Sequence, residues 1–336
     1  MTASVGPANA PAPAPAVTQT DSTWRRVFRD HPIVPLSGLL VVLVVVLEIV
    51  QPGTVGLTWA GFAIRAAIPL AILAGCQTLA MLTGGIDLSV GTIGSMVAVI
   101  VATQSTDQGP VVAILLGLAA AGLAGAANGV GIGVFKVHPL IMTLGTGLFV
   151  LGLMAAYQLA MNNAGTELPA AIVWLGQGLD LAGMPNSLIV FVPIAAVILF
   201  GLRSTGYGRL LFAVGDNPIA ARLSGARVWQ VLVVLYVISA LLAAIAGLLV
   251  AGLVNTATIS LVEVSVLPSV AAAVIGGTSI MGGRGGYAGT IVGALILTVL
   301  SALLTALSLP DAVREMLFGL IIVAVAAAYT RLTGEA

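Results

Sequence analysis

Long apolar runs separated by short polar breaks dominate the chain. About 20 apolar residues in a helix match a bilayer core of about 30 Å. Ten stretches approach that length: 33–49, 62–82, 88–103, 110–134, 140–159, 187–202, 229–253, 263–281, 287–307 and 312–329. The third, sixth and eighth are short enough to be tilted, broken or re-entrant. A longer polar and partly amphipathic stretch, 161–186, separates the fifth from the sixth. The pattern predicts an all-α polytopic membrane protein with about ten transmembrane helices.

Charge orders these spans. With the N-terminus in the cytoplasm, the cytoplasmic segments hold Arg25, Arg26, Arg29, Lys136, Arg203, Arg209, Arg222, Arg227, Arg284 and Arg331. Only Arg65 and Arg314 fall on the outer side, each near a helix end where it can snorkel. The positive-inside rule asks for this asymmetry. It selects an even span count with both termini cytoplasmic, in an inner membrane.

Composition agrees. Apolar residues make up 59% of the chain and charged residues 7%, against about 25% charged in soluble domains. Mean hydropathy is +1.15. Net charge is zero, so no electrostatic case exists for a nucleic-acid partner. Cys76 is alone and forms no intrachain disulfide. His31 and His138 flank different segments, and no metal-ligand spacing is present. The first 22 residues are rich in Ala, Pro and Thr. They cannot bury a core and are expected to be disordered, as part of a cytoplasmic tail over 1–30 that precedes a transmembrane domain over 31–331. No ionisable residue is expected near the middle of any span. That weakens a proton-coupled carrier, whereas a carrier using backbone carbonyls at broken helices for Na⁺ stays open.

Gly117, Ala121, Gly125, Gly129 and Gly133 recur at i,i+4 in the fourth stretch. Small stripes let helix backbones approach closely in lipid. Asn128 lies beside the stripe, either as an interhelical hydrogen bond or as a polar contact in a pathway.

Nothing in the chain reads as an enzyme site. The phosphate-binding pattern G-x-x-x-x-G-K-[S/T] needs a lysine, and the only lysine, Lys136, sits in Val134-Phe135-Lys136-Val137. The chain therefore has no ATPase motif of its own and needs no cofactor. If ATP drives it, another polypeptide binds that ATP. A partial dinucleotide fingerprint at 283–288 joins two spans and lacks its strand–turn–helix context.

The loop 203–228 is the informative one. Asp216-Asn217-Pro218 reads as a helix start, since Asp or Asn caps free N–H groups and proline suits the first helical position. The stretch 219–224 continues the helix and Gly225 ends it. About eight residues make a rod of roughly 12 Å. It either docks into a groove on a soluble partner or is a surface helix with no partner.

Four separated segments resemble the ribose/xylose/galactose-type ABC permeases. They are Leu82-Thr83-Gly84-Gly85-Ile86-Asp87-Leu88-Ser89-Val90-Gly91; His138-Pro139-Leu140-Ile141-Met142-Thr143-Leu144-Gly145-Thr146; Gly208-Arg209 through Ala220-Ala221-Arg222-Leu223-Ser224-Gly225; and Val274-Ile275-Gly276-Gly277-Thr278-Ser279 with Gly282-Gly283-Arg284-Gly285. The resemblance covers roughly residues 30–331 and keeps the expected order. It implies a type II ABC importer architecture working as a dimer of identical or paralogous permease chains. It also implies a cytoplasmic ATP-binding-cassette ATPase and an extracytoplasmic sugar-binding protein as partners. The family's coupling helix falls in the same loop, which implies an ATPase contact by Asp216, Asn217, Pro218, Ala220, Ala221, Arg222 and Gly225. Ile219 stands where an acidic residue is common.

Asp87, Ser89, Asn128, Thr278 and Ser279 are the candidates for the translocation path or its gate. For Asp87 the simplest reading is an N-cap of the third span, with a gate-shaping role or a sugar contact as the alternatives. The two glycine-rich turns, 84–91 and 276–289, both end in Gly-Thr-Ile, which hints at a weak internal duplication.

Overall fold

The computed structural model describes residues 33–161, 167–180 and 183–310, with isolated positions between 312 and 323. The tail over 1–30 lies outside the described residues, and the tenth stretch, 312–329, lies largely outside them. Among the described residues the fold is all-α, with one isolated β-bridge between Leu179 and Pro185.

The helices are α1 Ile33–Val50, α2 Leu57–Leu82, α3 Val90–Gln108, α4 Pro110–Gly133, α5 Pro139–Ala160, α6 Ala170–Gln177, α7 Leu188–Ser204, α8 Gly206–Asp216, α9 Pro218–Leu223, α10 Val228–Val254, α11 Val266–Ile275 and α12 Tyr287–Ala306. Local chemistry sets several ends. Pro110 and Pro139 occupy first-turn positions, where a missing N–H costs nothing. The Glu48 carboxylate accepts from the amides of Gly53 and Val55 and closes the turn after α1.

Six described helices are long and apolar enough to cross a membrane, and seven if α7 and α8, bent by 68°, count as one span. The count of ten is thus not reached on length and composition. Helix α3 falls short because its C-terminal end, Gln-Ser-Thr-Asp-Gln over 104–108, is polar and partly exposed. Every residue from Val90 to Val99 is buried, so protein rather than lipid solvates its Gly, Thr and Ser positions.

Helix α10 is the axis of the bundle, packed against α2, α3, α4 and α6. The small stripe of α4 makes that packing close. A methyl group on Gly125 would lie 2.7 Å from the Ala240 Cβ and 2.9 Å from the Val237 Cα, and one on Gly133 would lie 3.0 Å from the Trp229 Cα. Helix α12 packs on α1, α2 and α11.

One expectation is corrected here, and the re-entrant alternative left open for the eighth stretch is the one observed. The start of loop 203–228 is helical: α8 leaves α7 at the bend, capped by the Thr205 hydroxyl, which accepts from the Gly208 amide at 3.0 Å. The eighth stretch, 263–281, is no full span. The chain instead turns at Asn255, a left-handed residue with φ 52°, and runs back into the bundle. It forms a short 3₁₀ turn over Glu263–Ser265 and then the 10-residue α11.

The depth of that re-entry follows from contacts. The Val262 amide donates to the Ser95 hydroxyl at 3.0 Å. A methyl on the neighbouring Gly94 would meet the Ala243 carbonyl oxygen at 2.9 Å and the Gly247 Cα at 3.4 Å. Both residues lie near the middle of the 27-residue α10. Glu263 therefore sits at mid-bundle, where the sequence placed no charge.

Candidate functional site

The loop between α2 and α3 turns back into the bundle and is clasped from four helices. Gln77 of α2 holds both backbone groups of Asp87: its Nε2 donates to the Asp87 carbonyl at 2.8 Å and its Oε1 accepts the Asp87 amide at 3.2 Å. Thr143 of α5 accepts the Leu88 amide at 3.1 Å. The Asp87 Oδ1 accepts from the Ser89 amide and hydroxyl, at 3.1 and 2.6 Å. Its Oδ2 accepts from the Ser239 hydroxyl of α10 at 2.8 Å. The Asn128 Nδ2 of α4 donates to the Ser89 hydroxyl at 2.9 Å. Gln77, Asp87, Ser89, Asn128, Thr143 and Ser239 are all fully buried. Such enclosed polar groups stabilise one arrangement when satisfied and cost free energy when not. Within this network the Asn128 Oδ1 and, close by, the Tyr236 hydroxyl have no partner.

The N-cap of α3 is Ser89, not Asp87, and the Ser89 side chain makes no cap bond. Asp87 instead acts from two residues upstream, bonding the Ser89 amide and tying the helix start to α10.

Below the clasp, the two glycine-rich turns meet each other and the end of α8. The Gly283 amide donates to the Leu82 carbonyl at 3.0 Å. A methyl on Gly215 would overlap that same carbonyl and lie 2.6 Å from the Gly283 nitrogen. One on Gly282 would lie 2.8 Å from the Gly215 carbonyl oxygen and 3.1 Å from the Gly84 nitrogen. Gly84, Gly282 and Gly283 have φ of 77°, 95° and 68°, a region closed to most side chains. Three backbones touch here because none carries a Cβ.

Helix α9 follows directly. The Asn217 side chain caps it, accepting from the Ile219 and Ala220 amides at 3.0 and 2.9 Å. Pro218 is in the first turn, and Gly225 ends the motif at φ 90°. Asp216 closes α8 and takes no part in the cap. Ala221 points inward at 7% exposure, while Ile219 is 70% and Leu223 85% exposed. Ala220 and Arg222 are exposed as well. The outward face of α9 is therefore an apolar Ile219–Leu223 pair at i,i+4, and of the two implied alanine contacts only Ala220 reaches the surface. A groove of about 780 Å³ runs beside it, lined by Tyr207, Ala213, Asn217, Ala220, Gln230 and their neighbours.

The comparisons with known proteins bear on this arrangement. Residues 60–326 match the family described as branched-chain amino acid transport system / permease component. This chain belongs to that permease family. The fructose import permease protein FrcC of Rhizobium meliloti is 32% identical over 259 residues, covering 75% of this chain and 72% of that protein. The ribose import permease protein RbsC of Bacillus subtilis is 32% identical over 289 residues, covering 86% and 89%. The probable ABC transporter permease protein YphD of Escherichia coli is 34% identical over 306 residues, covering 88% and 90%. No solved structure matches.

In this permease the five path or gate candidates are brought together only in part. Asp87, Ser89 and Asn128 form one bonded chain. Thr278 and Ser279 lie in the other glycine-rich turn, each 3% exposed. There Ser279 donates its amide to the Arg284 carbonyl, while its hydroxyl accepts the Met281 amide. All five are enclosed within the protomer. Sequence reasoning missed Gln77, Thr143 and Ser239. Each is a polar residue within a largely apolar helix, with its partner 10, 55 or 152 residues away. The available signal was the cost of a bare polar group in hydrocarbon, which requires some partner without naming it.

Proposed function

We propose that this permease is the membrane-spanning subunit of an ATP-driven importer of pentose- or hexose-type sugars, in a bacterial inner membrane with both termini cytoplasmic. It forms the translocation path with a second permease chain. It binds no ATP itself. A separate cytoplasmic ATP-binding-cassette ATPase grips α9, and an extracytoplasmic sugar-binding protein delivers substrate to the outer end.

The observation that carries the coupling reading is the exposed Ile219–Leu223 pair on a capped six-residue helix. Two large apolar side chains presented by so short an element favour a covering partner. The cations support the orientation. Arg203, Lys136, Arg222 and Arg227 line the grooves at the α9 end, whereas Arg65 lies at the opposite end, donating to the Gln177 carbonyl and stacked 4.9 Å over Phe62. The glycine contact supports a mechanical role for the gate candidates: a shift of α9 moves Gly215 against Leu82 and Gly282, and so against the loop that Asp87 holds. The relatives named for ribose and fructose support the substrate class.

The family description, which names branched-chain amino acids, favours a second reading. Uptake by proteoliposomes holding permease, ATPase and binding protein separates the two. ATP-dependent accumulation of one of D-ribose, D-xylose, D-galactose or D-fructose is expected. Accumulation of leucine and of none of the sugars refutes the sugar reading. Uptake without ATP that collapses with an ionophore refutes the ATP-driven one and favours an ion-coupled carrier.

A further inference from the structure

Glu263 is a carboxylate at mid-bundle that no described residue neutralises. Its Cα would lie 3.0 Å from a methyl on Gly91 in the first turn of α3, and the preceding residue bonds Ser95. Its side chain bonds no described residue, and it is half-exposed. The residues around it are open too: Thr258 and Ser260 above it are exposed, and Val264 and Leu267 below it are 73% and 61% exposed.

A carboxylate at this depth faces lipid only at high cost; it faces a water-filled cavity or a paired cation. Among the described residues no Lys or Arg lies at this level. Lys136, Arg203, Arg209, Arg222, Arg227 and Arg284 belong to loops and helices at the α9 end, and Arg65 is engaged at the other. The described residues of an identical second chain, at the same depths, would bring no cation to this level either. Water, or something that replaces water, remains.

We propose that the descending segment 256–263 lines the substrate path and that Glu263, at its foot, accepts hydrogen bonds from the hydroxyls of a neutral polyol. Thr258 and Ser260 offer hydroxyls on the way down, and the carboxylate offers strong acceptors at mid-bundle. The exposed Val264 and Leu267 below it present an apolar wall that holds no sugar, so release toward the α9 end is not slowed. The buried set of Asp87, Ser89 and Asn128 then shapes the path from behind, and the re-entrant segment makes the contact. The inference rests on the importer reading above.

The test uses the assembled complex in proteoliposomes, with single cysteines in a Cys76→Ala background. Glu263→Cys and Ser260→Cys should react with the charged thiol reagent MTSET at least an order of magnitude faster than Val42→Cys, on the exposed face of α1. The faster reaction is expected in the nucleotide-free state, the ATP-analogue-trapped state, or both. A Glu263 cysteine as slow as the Val42 cysteine in both states overturns the assignment. If Glu263→Cys does not assemble, Ser260→Cys and Thr258→Cys decide it by the same criterion. In transport, Glu263→Gln should keep most activity, because an amide oxygen still accepts. Glu263→Leu should lose an order of magnitude while ATPase co-purification stays intact. Wild-type transport by Glu263→Leu also overturns it. If the wild-type complex moves leucine and no sugar, the substrate reading fails separately, and the labelling still reports whether the segment lines the path.

Discussion

Removing the Asp87 side chain should loosen the α2–α3 loop in an amount set by three hydrogen bonds. The carboxylate accepts from the Ser89 amide, the Ser89 hydroxyl and the Ser239 hydroxyl. Each buried bond of this kind is worth about 1 kcal/mol in a membrane protein, so Asp87→Ala should cost about 3 kcal/mol. Asp87→Asn should cost less than about 1 kcal/mol, because one amide oxygen still accepts from Ser89 and the new –NH₂ can donate to a Ser239 hydroxyl that rotates to accept. The backbone of residue 87 stays in place in both variants, since Gln77 holds it without the side chain. Denaturant titration of the purified permease in mixed micelles measures both values. Wild-type stability in Asp87→Ala refutes the clasp. So does an asparagine variant as unstable as the alanine one, because then the charge and not the bonding geometry holds the loop.

Two further outcomes follow from the same structure. Cysteines replacing Asp107 in the last turn of α3 and Ser204 at the α7–α8 bend, in a Cys76→Ala background, should label from opposite faces of the membrane; an impermeant reagent that reaches both in intact cells contradicts the topology. Gly215→Ala should leave ATPase co-purification unchanged yet abolish stimulation of hydrolysis by the loaded binding protein, because its Cβ would displace the Leu82 carbonyl without touching the exposed face of α9; normal stimulation shows that the glycine contact transmits nothing.

Spans were legible where a helix is apolar along its whole length. The stretches read at 110–134, 140–159, 229–253 and 287–307 differ from α4, α5, α10 and α12 by at most one residue at each end, since a run of apolar side chains is what hydrocarbon demands. Legibility failed where protein replaces lipid. Glu263–Ile275 is apolar and follows a polar break, so it reads as a span. Only its contacts with Gly91 and Ser95 reveal that the chain has already descended. The cap of α9 was readable because Asn217 and Pro218 act on their immediate neighbours. Which face of α9 turns outward was not, because burial of Ala221 depends on where α8 and α10 lie. The polar clasp was hidden for the same reason, with partners up to 152 residues apart.

The most direct test of the account is reconstitution of Leu223→Asp. The charge would stand on the 85% exposed tip of α9, outside every span and away from the buried core, so insertion and folding of the permease should be unchanged. ATPase co-purification should fall by an order of magnitude or more, and ATP-dependent uptake should fall with it, because a carboxylate buried in the joint without a partner costs several kcal/mol. A Leu223→Asp permease that binds its ATPase and accumulates substrate like wild type would mean that force enters this subunit somewhere other than α9.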